Sequence, residues 1–82
     1  MIVIHPHALV RAVERGASQD EIVATVETGE RFPAKYGRIG FRRNFPFGSL
    51  WRDRRYGTKQ IEALAVEEDG NWIVITVLVK FF

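Results

Sequence analysis

The chain has 82 residues, 46% of them hydrophobic, with twelve Lys and Arg against ten Asp and Glu and no cysteine. That supports one domain over residues 1–82 with a single small core, and it excludes disulfide staples and thiolate metal sites. The longest apolar run, Trp72 to Val79, is interrupted by Thr76 and too short to cross a bilayer, and no early stretch has signal-peptide character, so a cytoplasmic protein without membrane contact is expected.

Two helices are expected first. Pro6 suits a first helical position and Gly16 a stop, and between them Ala8, Leu9, Ala12 and Val13 form an apolar stripe. Ser18 and Glu21 have the spacing of a capping box, which starts a second helix that carries Ile22, Val23 and Val26 and ends at Gly29. Helices of about three turns need a sheet to cover. Strands are expected over 31–36 and 38–45, with a turn at Pro46-Phe47-Gly48 and strand character again near Leu50. Residues 59–67 and 72–81 flank Asp69-Gly70, a strong hairpin signal. The register that follows turns Leu64, Val66, Ile73, Ile75 and Val77 towards the helices. Lys59, Ala63, Thr76 and Lys80 take the other face, with Lys59 directly across from Lys80.

Residues 31–55 hold eight of the twelve basic side chains and one acid, Asp53, so the segment carries +7 within a chain whose net charge is only +2. Six aromatics (Phe32, Tyr36, Phe41, Phe45, Phe47 and Trp51) interleave with these cations. Guanidinium groups pair with phosphates and aromatic faces stack on unpaired bases, so the mixture suits single-stranded RNA. Arg38, Arg42, Arg43, Arg52, Arg54, Arg55 and Lys59 are the candidate RNA-binding residues. The plain alternative is that the aromatics fill a small core while the arginines solubilise the strands around it.

On the first helix His7, Arg11 and Arg15 are spaced four apart, so they line one side, beside the apolar stripe. A histidine exchanges protons near neutrality, and two arginines beside it can hold a phosphate and stabilise charge developing on it. A histidine at a helix start is also commonly a capping or solvated residue, and Arg11 and Arg15 can equally pair with acids on the helices. Other chemistries find little support: there is no Gly-rich phosphate loop, no nucleophile elbow, and no partner pattern that would make His5 and His7 metal ligands.

The run His7-Ala8-x-x-Arg11-x-x-x-Arg15-Gly16, then Ser18-x-x-Glu21-Ile22, resembles the opening of domain-of-unknown-function family 4258. Lys59-Gln60-Ile61-Glu62, Trp72 to Val77 and Lys80-Phe81-Phe82 resemble that family's closing hairpin. The resemblance implies an α+β domain, two N-terminal helices packed on a small antiparallel sheet, akin to RelE-like toxins and the wider barnase-like ribonuclease group. It implies a toxin of a type II toxin–antitoxin pair, partnered by an antitoxin protein, in some members of the zinc-finger MqsA type. It implies metal-independent cleavage of mRNA, with no cofactor. Carried over by position, His7, Arg11 and Thr76 are the candidate active residues; in the mechanism expected from them, Arg15 or Lys80 joins Arg11 in stabilising charge on the phosphate. His5 stands where similar chains commonly have a capping Ser or Thr, so the sequence leaves open which histidine is functional. Two rivals stand beside the enzyme: a non-catalytic module that holds RNA or an acidic protein, and a structural domain whose charge is incidental.

Overall fold

The computed structural model describes residues 1–82. The elements run β1 (Ile2–Ile4), α1 (Pro6–Glu14), α2 (Gln19–Thr28), β2 (Glu30–Pro33), β3 (Ile39–Trp51), β4 (Arg54–Glu68) and β5 (Asn71–Phe81). They form an α+β domain in which two helices cover one face of a five-stranded sheet of order β1-β5-β4-β3-β2. The sheet is mixed, not purely antiparallel, because β1 runs parallel to β5 and pairs Ile2–Ile4 with Trp72–Val74. The helices therefore do not come first. The β-branched run Ile2-Val3-Ile4 precedes them as a strand, and three residues are too few for a period-2 pattern to announce it. No helix is long and apolar enough to cross a membrane.

Local chemistry accounts for both helices. In α2 the capping box is complete: the Ser18 hydroxyl accepts from Glu21 N–H, and the Glu21 carboxylate accepts from Ser18 N–H at 3.0 Å. In α1 the cap is His5, whose Nδ1 accepts from His7 N–H at 3.2 Å. Gly16 ends α1 at φ +95, a conformation open to glycine, and a Cβ there would come within 3.0 Å of the Trp51 and Phe81 rings.

The core gathers Ala12, Ala17, Ile22 and Val26 from the helical half against Phe41, Ile61, Ala63, Ala65, Val74 and Val77 from the sheet. Ala63 and Ala65 are fully buried, and their short side chains let the rings of Phe41 and Trp72 meet edge-on at 5.1 Å. The face of β4 that meets the helices is thus Lys59, Ile61, Ala63 and Ala65, the reverse of the expected Leu64 and Val66. β4 keeps one unbroken alternation, with the small Ala63 and Ala65 under the helices, and β5 separately carries a bulge. The Asp69-Gly70 turn forms as expected and pairs Glu68 with Asn71, but the register shifts after Ala65–Val74, and beyond it Leu64 lies opposite Thr76. One extra residue at Ile75 makes Val74 and Val77, three apart, both core residues. It also puts Lys59 across from Phe81 and Lys80 across from Gln60, so the two lysines do not oppose each other.

Residues 46–48 do not end a strand. β3 runs through them with a bulge at Phe47-Gly48, with Gly48 at φ +56, and continues to a two-residue turn whose Arg52 and Asp53 both have positive φ. β3 and β4 thus make a long arm, folded back so that Trp51 stacks on Phe81 with centroids 4.9 Å apart. Phe47 and Tyr56 complete this aromatic cluster around Phe81.

Candidate functional site

β1 accompanies β5 only as far as Val74; there His5 N–H donates to Val74 O at 2.9 Å and the chain enters α1. From Ile75 onward β5 has a strand on one side only. α1 lies beside this uncovered stretch, and between them is a cleft of about 180 Å³ lined by His7, Ala8, Arg11, Arg15, Ile75, Thr76 and Val77. Three basic side chains line it and no acidic one does. His7 and Ala8 belong to the first turn of α1, where the positive end of the helix dipole adds to the field of the arginines. The arrangement attracts anions.

The members of the stripe play different parts. Arg15 is half-buried and its Nη1 donates to Val77 O at 2.7 Å, which ties the end of α1 to the β5 edge. Arg11 and His7 are exposed, and neither side chain bonds to another protein group, so both are free to meet a ligand. His5 is occupied as the helix cap, which separates the two histidines: His5 builds α1 and His7 lines the cleft. Thr76 reaches the cleft from the rim, since the strand edge is open there, although its register position across from Leu64 is on the face away from the helices. Lys80 is not brought in; it is exposed on that same far face, across from Gln60. The carbonyl of Val77 and the bulge at Ile75 had no signal in the sequence, because both are set by the β4–β5 ladder.

The basic segment 31–55 is arranged differently. Five of its eight cations lie over aromatic rings: Arg31 over Trp72 at 5.1 Å, Arg38 over Tyr36 at 5.7 Å, Arg42 over Phe32 at 4.4 Å, Arg43 over Phe45 at 4.7 Å and Arg52 over Trp51 at 5.3 Å. Arg42 is also neutralised by Glu62 at 3.0 Å and Glu30 at 3.6 Å, and Arg43 donates to the Thr28 hydroxyl. Gly40 makes room for this stack, since a Cβ there would fall 2.3 Å from the Phe32 ring. Arg54 and Lys35 are exposed and contact no partner, and Arg55 reaches only Gly48 O at 3.5 Å. Of the six aromatics, Phe41 is core, Phe45 packs against the core, Phe32 lies over Gly40, and Phe47 and Trp51 join the cluster on Phe81. Only Tyr36 is largely exposed, at 85%, and Arg38 lies over one side of its ring.

Lys59 is not an available RNA contact. It is buried, and its Nζ donates to Gly16 O at 2.8 Å and to Glu21 Oε1 at 2.7 Å. One ammonium group thereby joins β4, the α1–α2 turn and the cap of α2. Burial works to raise the pKa of the Glu21 carboxyl, but the hydrogen bonds from Lys59 and from Ser18, with the Lys59 charge, outweigh it and hold it below its ordinary value. No three His, Asp or Glu side chains come together as a metal site would require.

Compared with protein-family models, with curated proteins and with solved structures, the chain finds no match in any of the three.

Proposed function

We propose that this protein is a RelE-like toxin of a type II toxin–antitoxin pair that cleaves mRNA without a metal, as its resemblance to domain-of-unknown-function family 4258 implies. The observation that carries the reading is the cleft between α1 and the β5 edge, where an exposed histidine and two arginines line one wall with no acid among them. RNA supplies its own nucleophile, the 2′-hydroxyl, so the chain must hold a phosphodiester, neutralise its developing charge and move a proton. Arg11 is the free cation for the phosphate oxygens, and Arg15, held by Val77 O, supplies a second charge and fixes the wall of the cleft. His7 moves the proton, either from the attacking 2′-hydroxyl or to the leaving 5′-oxygen, and water serves the other oxygen. Thr76, at the rim of the cleft, is the candidate hydrogen-bond donor to a phosphate oxygen. The arm, with Arg54 and Arg55 exposed on it, extends the positive surface along which the strand lies.

Incubation of purified protein with single-stranded RNA in EDTA tests this directly. Cleavage by the wild type and its loss in His7→Ala, with matching loss of growth arrest on overproduction, is the expected result. Binding without cleavage favours the second reading, a non-catalytic module for RNA or an acidic protein. One observation supports that rival: the imidazole of His7 has no hydrogen-bond partner to orient it, whereas a general base is commonly held by one.

A further inference from the structure

The two edges of the sheet are finished in different ways. The β2 edge is four residues long, carries Glu30 and Arg31, and ends in Pro33, all features that discourage pairing with another chain. The edge beyond β1 has no such protection. Phe82 N–H and C=O both bond to Thr58 on β4, so by the alternation of an antiparallel ladder Val77, Val79 and Phe81 point theirs away from β4. The Arg15 bond to Val77 O is consistent with that direction, and it is the one hydrogen bond that reaches these outward groups. The stretch is apolar, with Val77, Leu78, Val79 and Phe81, and its single charge, Lys80, is on the far face. At its start, His7, Arg11 and Arg15 line the cleft together with Ile75, Thr76 and Val77.

We infer that the open edge of β5 over Val77–Phe81 takes an extended acidic segment of a protein partner as an added strand. β1 already shows that this side of β5 accepts a strand, and the newcomer would continue the sheet where β1 turns away. Main-chain bonds to Val79 and Phe81 supply the attachment, and carboxylates along the segment meet Arg11 and Arg15 on one side and Lys80 on the other. A second copy of this chain fits less well, because pairing two such edges would bring Lys80 and the arginines of both copies together. The inference rests on the toxin–antitoxin reading only for its consequence: a strand seated here lies across the mouth of the cleft and shuts out RNA.

The probe is a synthetic peptide of alternating Glu and Val residues, titrated into the full-length protein while backbone amides are followed by NMR. Saturable binding, with slowed hydrogen exchange at Val77, Val79 and Phe81, is expected. A peptide N-methylated at alternate residues should bind about tenfold more weakly or worse, as loss of one or two net hydrogen bonds implies, and a Lys-Val peptide should not bind. Val79→Pro in the protein should weaken binding as N-methylation does, since that N–H points outward and takes no part in the β4 ladder. Equal binding of the N-methylated or the Lys-Val peptide, or binding with no protection of those three amides, overturns the inference even if the proline variant fails to fold. Concentration-dependent self-association that protects the same amides would instead give the edge to a second copy. RNA cleavage separates this from the functional reading. Peptide binding to a protein that never cuts RNA sinks the nuclease alone, whereas cleavage that the peptide neither binds nor blocks sinks the edge.

Discussion

In the α1–β5 cleft three basic side chains share a small space with no acid, and two of them, His7 and Arg11, have no protein partner. In residues 31–55 eight cations crowd one segment, yet five lie over aromatic rings and one of those, Arg42, is also ion-paired twice. The denser charge belongs to the region where most of it is already used. A guanidinium stacked on a ring and matched by carboxylates contributes to folding and offers less to a phosphate than a free one. Charge count is therefore a poor guide to a binding site on this protein, and the question to ask of each cation is what it already touches.

The largest expected effect separates the two histidines. His7→Ala should lower RNA cleavage by about 10²–10⁴-fold, the usual contribution of a general acid or base, and leave thermal unfolding nearly unchanged. His5→Ala should do the reverse: cleavage within a few-fold of wild type, and stability down by about 1 kcal/mol from the lost cap. Equal losses of activity in both variants would show that the cleft is not the reacting site.

Next comes the buried lysine. Glu21→Ala removes the partner of Lys59 and half of the α2 capping box, and should cost about 2–4 kcal/mol in denaturant unfolding. The carboxyl is held below its ordinary value of 4.5, so its contribution to stability is complete above that pH and is lost as pH falls through the lowered value. The acid limb of the stability curve should accordingly flatten in Glu21→Ala. An unchanged limb would mean that the pair contributes nothing to acid stability.

Within the basic segment, Arg42→Glu sets a third carboxylate against Glu30 and Glu62 and should destabilise the fold by about 1–2 kcal/mol, several degrees in melting temperature. Any fall in RNA affinity there would reflect damage as much as lost contact. Arg54→Glu is the smaller and cleaner change, since the Arg54 side chain is exposed and has no ion-pair partner. It should leave the melting temperature within about a degree and weaken RNA binding a few-fold, with the salt slope reduced by roughly one. If Arg54→Glu has no effect on binding while Arg11→Ala abolishes it, RNA is held by the cleft and not by the arm.

Much of this was written locally. The capping box at Ser18 and Glu21, the Pro6 start, the Gly16 stop and the Asp69-Gly70 turn are encoded within a few residues of where they act, and each forms as its chemistry requires. So is the spacing of His7, Arg11 and Arg15, which a helix alone suffices to align. What lay beyond the sequence depended on neighbours distant in the chain. The inner face of β4 is Ala63 and Ala65 and not Leu64 and Val66, and the bulge at Ile75 moves the partners of β5 by one residue; no propensity marks either, because both are set by how the strands pack. Lys59 and the aromatics of 31–55 look like surface groups by type. Lys59, Phe47 and Trp51 turn inward because Glu21, Gly16 and Phe81, 30 to 43 positions away from them in sequence, satisfy the charge and cover the rings. Thr76 joins the cleft for a similar reason: the edge of β5 happens to be bare beside α1. Short-range chemistry determined which helix and turn would form; which cations stayed free was decided by tertiary contacts, because a charge is neutralised by whatever the folded chain brings within reach.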